Sequence, residues 1–128
     1  MIAMRVVGFL YLLSGGWCAF APELASGFLG FSLSNTTGLA EFFSVYGGLQ
    51  VGLGLALILS SFVAEYIESA LYFSWVFSTS LFLFRVISIG LYGVQPELMA
   101  MAILEALIAV VMWGSWLRQK RKSSRCHG

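Results

Sequence analysis

Residues 69–92, SALYFSWVFSTSLFLFRVISIGLY, and residues 97–117, ELMAMAILEALIAVVMWGSWL, are parted only by Gly93-Val94-Gln95-Pro96, and the second run leads into Arg118-Gln119-Lys120-Arg121-Lys122. Each run is close to the roughly 20 apolar residues that a helix needs to cross the hydrocarbon core of a bilayer. Each buries one charge away from its ends, Arg85 in the first and Glu105 in the second. The two runs predict helices in lipid, because an open strand there would leave its backbone polar groups unpaired.

Working outward, two further apolar runs precede them, at 2–21 and 39–63, with Pro22 closing the first and Asn35-Thr36-Thr37-Gly38 opening the second. These breaks carry turn and cap chemistry. The composition agrees: 59% of the 128 residues are hydrophobic and 10% charged, with a mean hydropathy of +0.90, against about 45–50% and about 25% in ordinary soluble domains. A water-soluble globule is excluded, since too few polar residues remain to cover its surface. The expected fold is all-α, an integral membrane four-helix bundle of one domain over 1–117, with a basic cytoplasmic tail at 118–128.

Five of the seven basic residues, Arg118, Lys120, Arg121, Lys122 and Arg125, fall in that tail. Lys and Arg beside a span are held on the cytoplasmic side, so both termini are expected there, with Arg5 near the other one. The outer loops 22–38 and 93–96 contain no Lys or Arg, and the inner loop 64–68 is acidic. The first span is read as retained, not as a cleaved signal peptide, because Pro22 directly follows the small-x-small site Ala19-Phe20-Ala21. Cys18 and Cys126 are too far apart in this topology for a disulfide, and no CxxC is present. His127 is expected to be solvated, and Asn35-Thr36-Thr37 to serve as a turn or helix cap.

Glu41, Arg85 and Glu105 stand within or at the edge of the spans, where each would cost about 2.5–3.5 kcal/mol at a helix centre. Mutual pairing is the natural remedy. At about 1.5 Å per residue, Arg85 lies about 10 Å below the outer boundary and Glu105 about 12 Å below it. They are level, with Glu41 one or two turns higher. Glu41 and Glu97 also suit the positive end of a helix N-terminus, and an Arg85–Glu105 pair suits a purely structural register lock. At 100° per residue, Glu41 shares a face with Gly48, Gly52 and Ala56, a stripe of small residues suited to close helix packing. Tyr46 and Gln50 fall on another side of that helix, as a separate contact or cavity wall. Gly8, Tyr11, Gly15 and Ala19 align on the first helix, and Arg85 aligns with Ser74, Ser78, Ser88 and Tyr92 on the third.

The order Phe20-Ala21-Pro22-Glu23, Gly30-Phe31, Glu41 with Tyr46-Gly47-Gly48-Leu49 and Gly52-Leu53-Gly54, Arg85-Val86-Ile87-Ser88, Gly93, Pro96 and Glu105 resembles the small bacterial four-helix membrane family called domain of unknown function 4345. That family is DoxX-like in broad architecture. The resemblance covers nearly the whole chain up to the basic tail and implies a multi-pass protein of the bacterial inner membrane. Phe43 and Tyr92 depart from the family pattern, in which arginine and an acidic residue often stand there, so a polar site shared with relatives would be reduced or altered here. The family brings a fold and no chemistry.

No Ser/His, Cys/His or His/Glu set lies in the spans, so no metal site and no cofactor are expected and catalytic residues are unknown. The leading expectation is an accessory or lipophilic-ligand-binding bundle with the polar cluster Glu41, Arg85 and Glu105 in its outer half. Its expected partners are membrane lipid, a small lipophilic ligand, and a second copy or another membrane protein, but no nucleic acid. The alternatives are a membrane enzyme using Glu41 or Glu105 to move a proton on a lipid or isoprenoid substrate, and a proton-coupled small transporter.

Overall fold

The structure, a computed structural model, describes residues 1–126, with side chains as far as Arg125; His127 lies outside the described residues. All regular structure in the described residues is helical: α1 (Ile2–Phe20), α2 (Pro22–Phe28), α3 (Thr36–Phe42), a π-helical segment (Phe43–Leu49), α4 (Gln50–Ser60), α5 (Ala64–Tyr92) and α6 (Pro96–Cys126). The junctions of α3, the π segment and α4 keep helical dihedrals, so Thr36–Ser60 is one continuous helix. With α1, α5 and α6 this makes four helices long and apolar enough to cross a membrane. The chain divides into two compact units, Ile2–Ser61 and the chain from Phe62 onward.

In the first unit α1 packs antiparallel against Thr36–Ser60, and glycine decides how closely. A Cβ on Gly54 would stand 2.6 Å from the Gly8 carbonyl oxygen and 2.9 Å from the Leu12 nitrogen. One on Gly15 would meet the Val51 nitrogen at 2.8 Å and the Gly47 oxygen at 2.9 Å. The two backbones therefore touch at Gly8/Gly54 and again at Gly15/Gly47, as small residues allow helices to do in lipid. This differs from the expected stripe. Gly48 and Gly52 face open space and Ala56 is exposed. The stripe does share a face with Glu41, but Glu41, Gly48, Gly52 and Ala56 are all exposed, so a charged residue marks the side turned away from α1 and the contact falls to the neighbouring row Gly47 and Gly54.

The connection from α1 to α3 carries a helix of its own. Pro22 occupies the first turn of α2, where its missing N–H costs nothing, and Glu23 sits at the positive end of the same helix. Gly30, at φ 81°, turns the chain back. The Asn35 side chain then accepts from the Gly38 N–H at 2.7 Å and caps α3. Buried Cys18, Ala25 and Phe42 form the core of this end, with Leu29, Leu33 and Tyr46 against them. Phe42 stacks on Tyr46 with centroids 4.7 Å apart, and Phe31 meets both edge-on.

In the second unit α5 and α6 form an antiparallel hairpin. Gly93, at φ 96°, ends α5 and Pro96 opens α6. Two boundaries differ from expectation. Residues 64–68, read as the inner loop, are the start of α5, with Glu65 in its first turn complementing the helix dipole. At the far end α6 runs through the basic residues without a break, because Arg, Gln and Lys are good helix formers and cations suit a helix C-terminus. At about 1.5 Å per residue, α6 is roughly half as long again as the hydrocarbon core is thick.

Candidate functional site

A row of α5 positions three or four apart, Ile67, Leu71, Ser74 and Ser78, is buried, and continuing it leads to Arg85. On α6 the buried row is Ala102, Glu105, Ala109 and Met112. The hairpin brings Arg85 and Glu105 together. Nη2 donates to Oε1 at 2.6 Å and Nε donates to Oε2 at 3.2 Å, with side chains 22% and 11% exposed. This side-on, two-bond geometry is the strong form of the pair, and it engages both carboxylate oxygens. It also fixes register, since a one-residue slip of α6 would rotate the carboxylate about 100° away from the guanidinium.

The same register is set a second time. Ten residues before Arg85 stands Trp75; eleven after Glu105 stands Trp116, and their ring centroids are 5.9 Å apart. Tyr72 completes the cluster, edge-on to Trp75 at 5.8 Å and tilted against Trp116 at 5.6 Å, and the Lys120 ammonium sits 5.1 Å from the Trp116 centroid. From the sequence Trp75 counts, with Trp17, Trp113 and Trp116, as aromatic content expected of a membrane bundle. Counting from an Arg85–Glu105 pair places it level with Ser115, within one residue of Trp116. Its Nε1 is buried and has no hydrogen-bond partner, which is uncommon for an indole.

Between α5 and α6 runs an open apolar groove of about 470 Å³, walled by Phe82, Val86, Ile89, Ile103, Ala106 and Val110. A smaller continuation of about 250 Å³ shares Phe82, Ala106 and Val110 and reaches Trp75 and Trp113. Neither Arg85 nor Glu105 lines either part.

The other residues expected at the site belong to the first unit. Glu41 is exposed in α3. Tyr46 is half-buried among Phe31, Phe42 and Cys18. Gln50 packs its Cβ against Gly15 of α1, and its buried Oε1 has no hydrogen-bond partner. Tyr46 and Gln50 thus serve the contact with α1 and the loop. Arg5, read only as a topology marker, donates from Nε to the Ser61 hydroxyl at 3.0 Å, and Ser61 in turn donates to the Ile58 carbonyl at 2.7 Å. That link ties the start of α1 to the end of α4, and no periodicity in the sequence announces it. A scan against protein-family models and searches of curated proteins and of solved structures find no match to this chain.

Proposed function

We propose that this chain is a multi-pass membrane protein of the bacterial inner-membrane type, with both termini cytoplasmic, that works without chemistry of its own as an accessory or lipophilic-ligand-binding helical bundle. The observation that carries the reading is the Arg85–Glu105 pair, an ion pair engaging both carboxylate oxygens within helices long and apolar enough to cross a membrane. Charges are tolerated at such depth when they are compensated, and a carboxylate held by two guanidinium donors is arranged for orientation. The likeness to the four-helix family named above points the same way. The groove beside the pair supplies apolar wall of the kind a lipophilic molecule needs.

The experiment is native mass spectrometry of the full chain released from membranes. A retained small lipophilic molecule, lost in Arg85→Ala, supports ligand binding, and a retained protein supports the accessory role. Turnover of a lipid or isoprenoid substrate that disappears in Glu105→Gln would overturn the reading in favour of an enzyme. Release of the unaltered chain from membranes by alkaline extraction would overturn it altogether.

A further inference from the structure

We propose that the α5–α6 groove is a binding site for one anionic phospholipid of the leaflet next to the basic helix end. The inference rests on the membrane reading above and names the ligand class of a site distinct from the ion pair.

The groove is continuous, because its two parts share Phe82, Ala106 and Val110. From Met99 to Trp113 it follows α6 for about 21 Å at about 1.5 Å per residue, more than the depth of one leaflet of hydrocarbon. Its walls are apolar along that length, as an acyl chain requires. What lies at the Trp113 end decides the occupant. Trp75 and Trp113 both line the groove there. Indole rings settle at the level of lipid ester groups, which sets this end of the groove at the headgroup boundary.

One turn further, Trp116 lies tilted against Trp75 and carries Lys120 above its ring. At 100° per residue Lys120 lies within about 20° of Trp113, so it continues the groove's own ridge toward the headgroups. Lys122 lies on the opposite side of α6. The acids of this hairpin end, Glu65 and Glu68, are outnumbered by Arg118, Lys120, Arg121, Lys122 and Arg125. Counting from the Arg85–Glu105 pair places Glu65 and Glu68 level with Arg125 and Lys122, beyond Lys120. The groove mouth is therefore cationic, and a negatively charged headgroup complements it where a zwitterionic one does not.

The test titrates the purified full chain with dioleoyl phosphatidylglycerol or dioleoyl phosphatidylcholine and counts bound lipid by native mass spectrometry. The unaltered chain retains one phosphatidylglycerol about tenfold more tightly than phosphatidylcholine. Lys120→Ala lowers phosphatidylglycerol affinity about fivefold, the worth of one basic residue at an anionic surface, while Lys122→Ala, an equal charge change on the far side, lowers it less than about twofold. Ala106→Phe, which fills the shared part of the groove, lowers retention of both lipids. Equal affinity for the two lipids overturns the proposal, as do equal losses in the two lysine variants, which would mean diffuse attraction to the basic end. Unchanged retention in Ala106→Phe also overturns it, and so does a second copy of the chain held in place of lipid. Lys120 and Lys122 are exposed, so neither variant threatens folding. Failure of this site leaves a chain that still resists alkaline extraction, whereas failure of the membrane reading releases it.

Discussion

Replacing Arg85 by methionine strands the Glu105 carboxylate, 11% exposed and nine residues into α6, without the two donors that now engage it. A carboxylate at the centre of a spanning helix costs about 2.5–3.5 kcal/mol on insertion scales, and breaking a buried pair from one side about 3–5 kcal/mol. The side chains keep some exposure, so about 3 kcal/mol is the expected loss. Glu105→Leu strands the guanidinium in the same way and is expected to cost a similar amount. The double variant carries two apolar side chains of similar length and no stranded charge, and is expected to lie within about 1 kcal/mol of the original, because well-packed apolar replacements of buried pairs are often neutral. The coupling energy of the cycle is then about 5 kcal/mol or more. Equilibrium unfolding in mixed micelles, followed by tryptophan fluorescence from the Trp75–Trp116 pair, reads all four species. Single substitutions that each cost under about 0.5 kcal/mol and simply add in the double would refute the claim that this pair locks the hairpin.

Gly54→Ala is expected to cost about 1–3 kcal/mol by forcing α1 and α4 apart, whereas Gly52→Ala, which meets open space, is expected to be neutral or to stabilise by up to about 1 kcal/mol; thermal unfolding of the two variants separates the competing glycine frames. Asn35→Ala removes the cap on α3 and should cost about 1 kcal/mol, with faster amide exchange confined to the first turn of that helix. Ser61→Ala removes the acceptor of the Arg5 Nε–H and should cost about 1 kcal/mol, read by the same unfolding assay. Changing Arg118, Lys120, Arg121 and Lys122 together to Gln should move a C-terminal reporter to the outer side in a measurable share of molecules, while the unaltered chain keeps it inside.

Local chemistry was enough for the helices. Four apolar runs of spanning length are written in the residue order, with breaks at Pro22 to Asn35, at Gly93 to Pro96 and, a few residues earlier than the 64–68 expected, at 61–63, because backbone satisfaction in lipid leaves a long apolar run one regular form. The Arg85–Glu105 pair was legible for the same reason: two opposite charges in adjacent spans, counted from one shared turn, come out level. Other features depended on geometry that no residue states by itself. Which glycine row packs on α1 was one of them: Gly47 and Gly54 meet it while Gly48 and Gly52 stay on the exposed side with Glu41, and a helical wheel groups residues on a face without saying which face has a neighbour. The short α2 is held by contacts of Ala25 and Phe28 with Cys18 and Trp17, from elements its own sequence does not contain. Even the groove that ends at the orphan Trp75 indole exists only once α5 and α6 lie side by side in register, since its walls come from both helices and neither alone encloses any space.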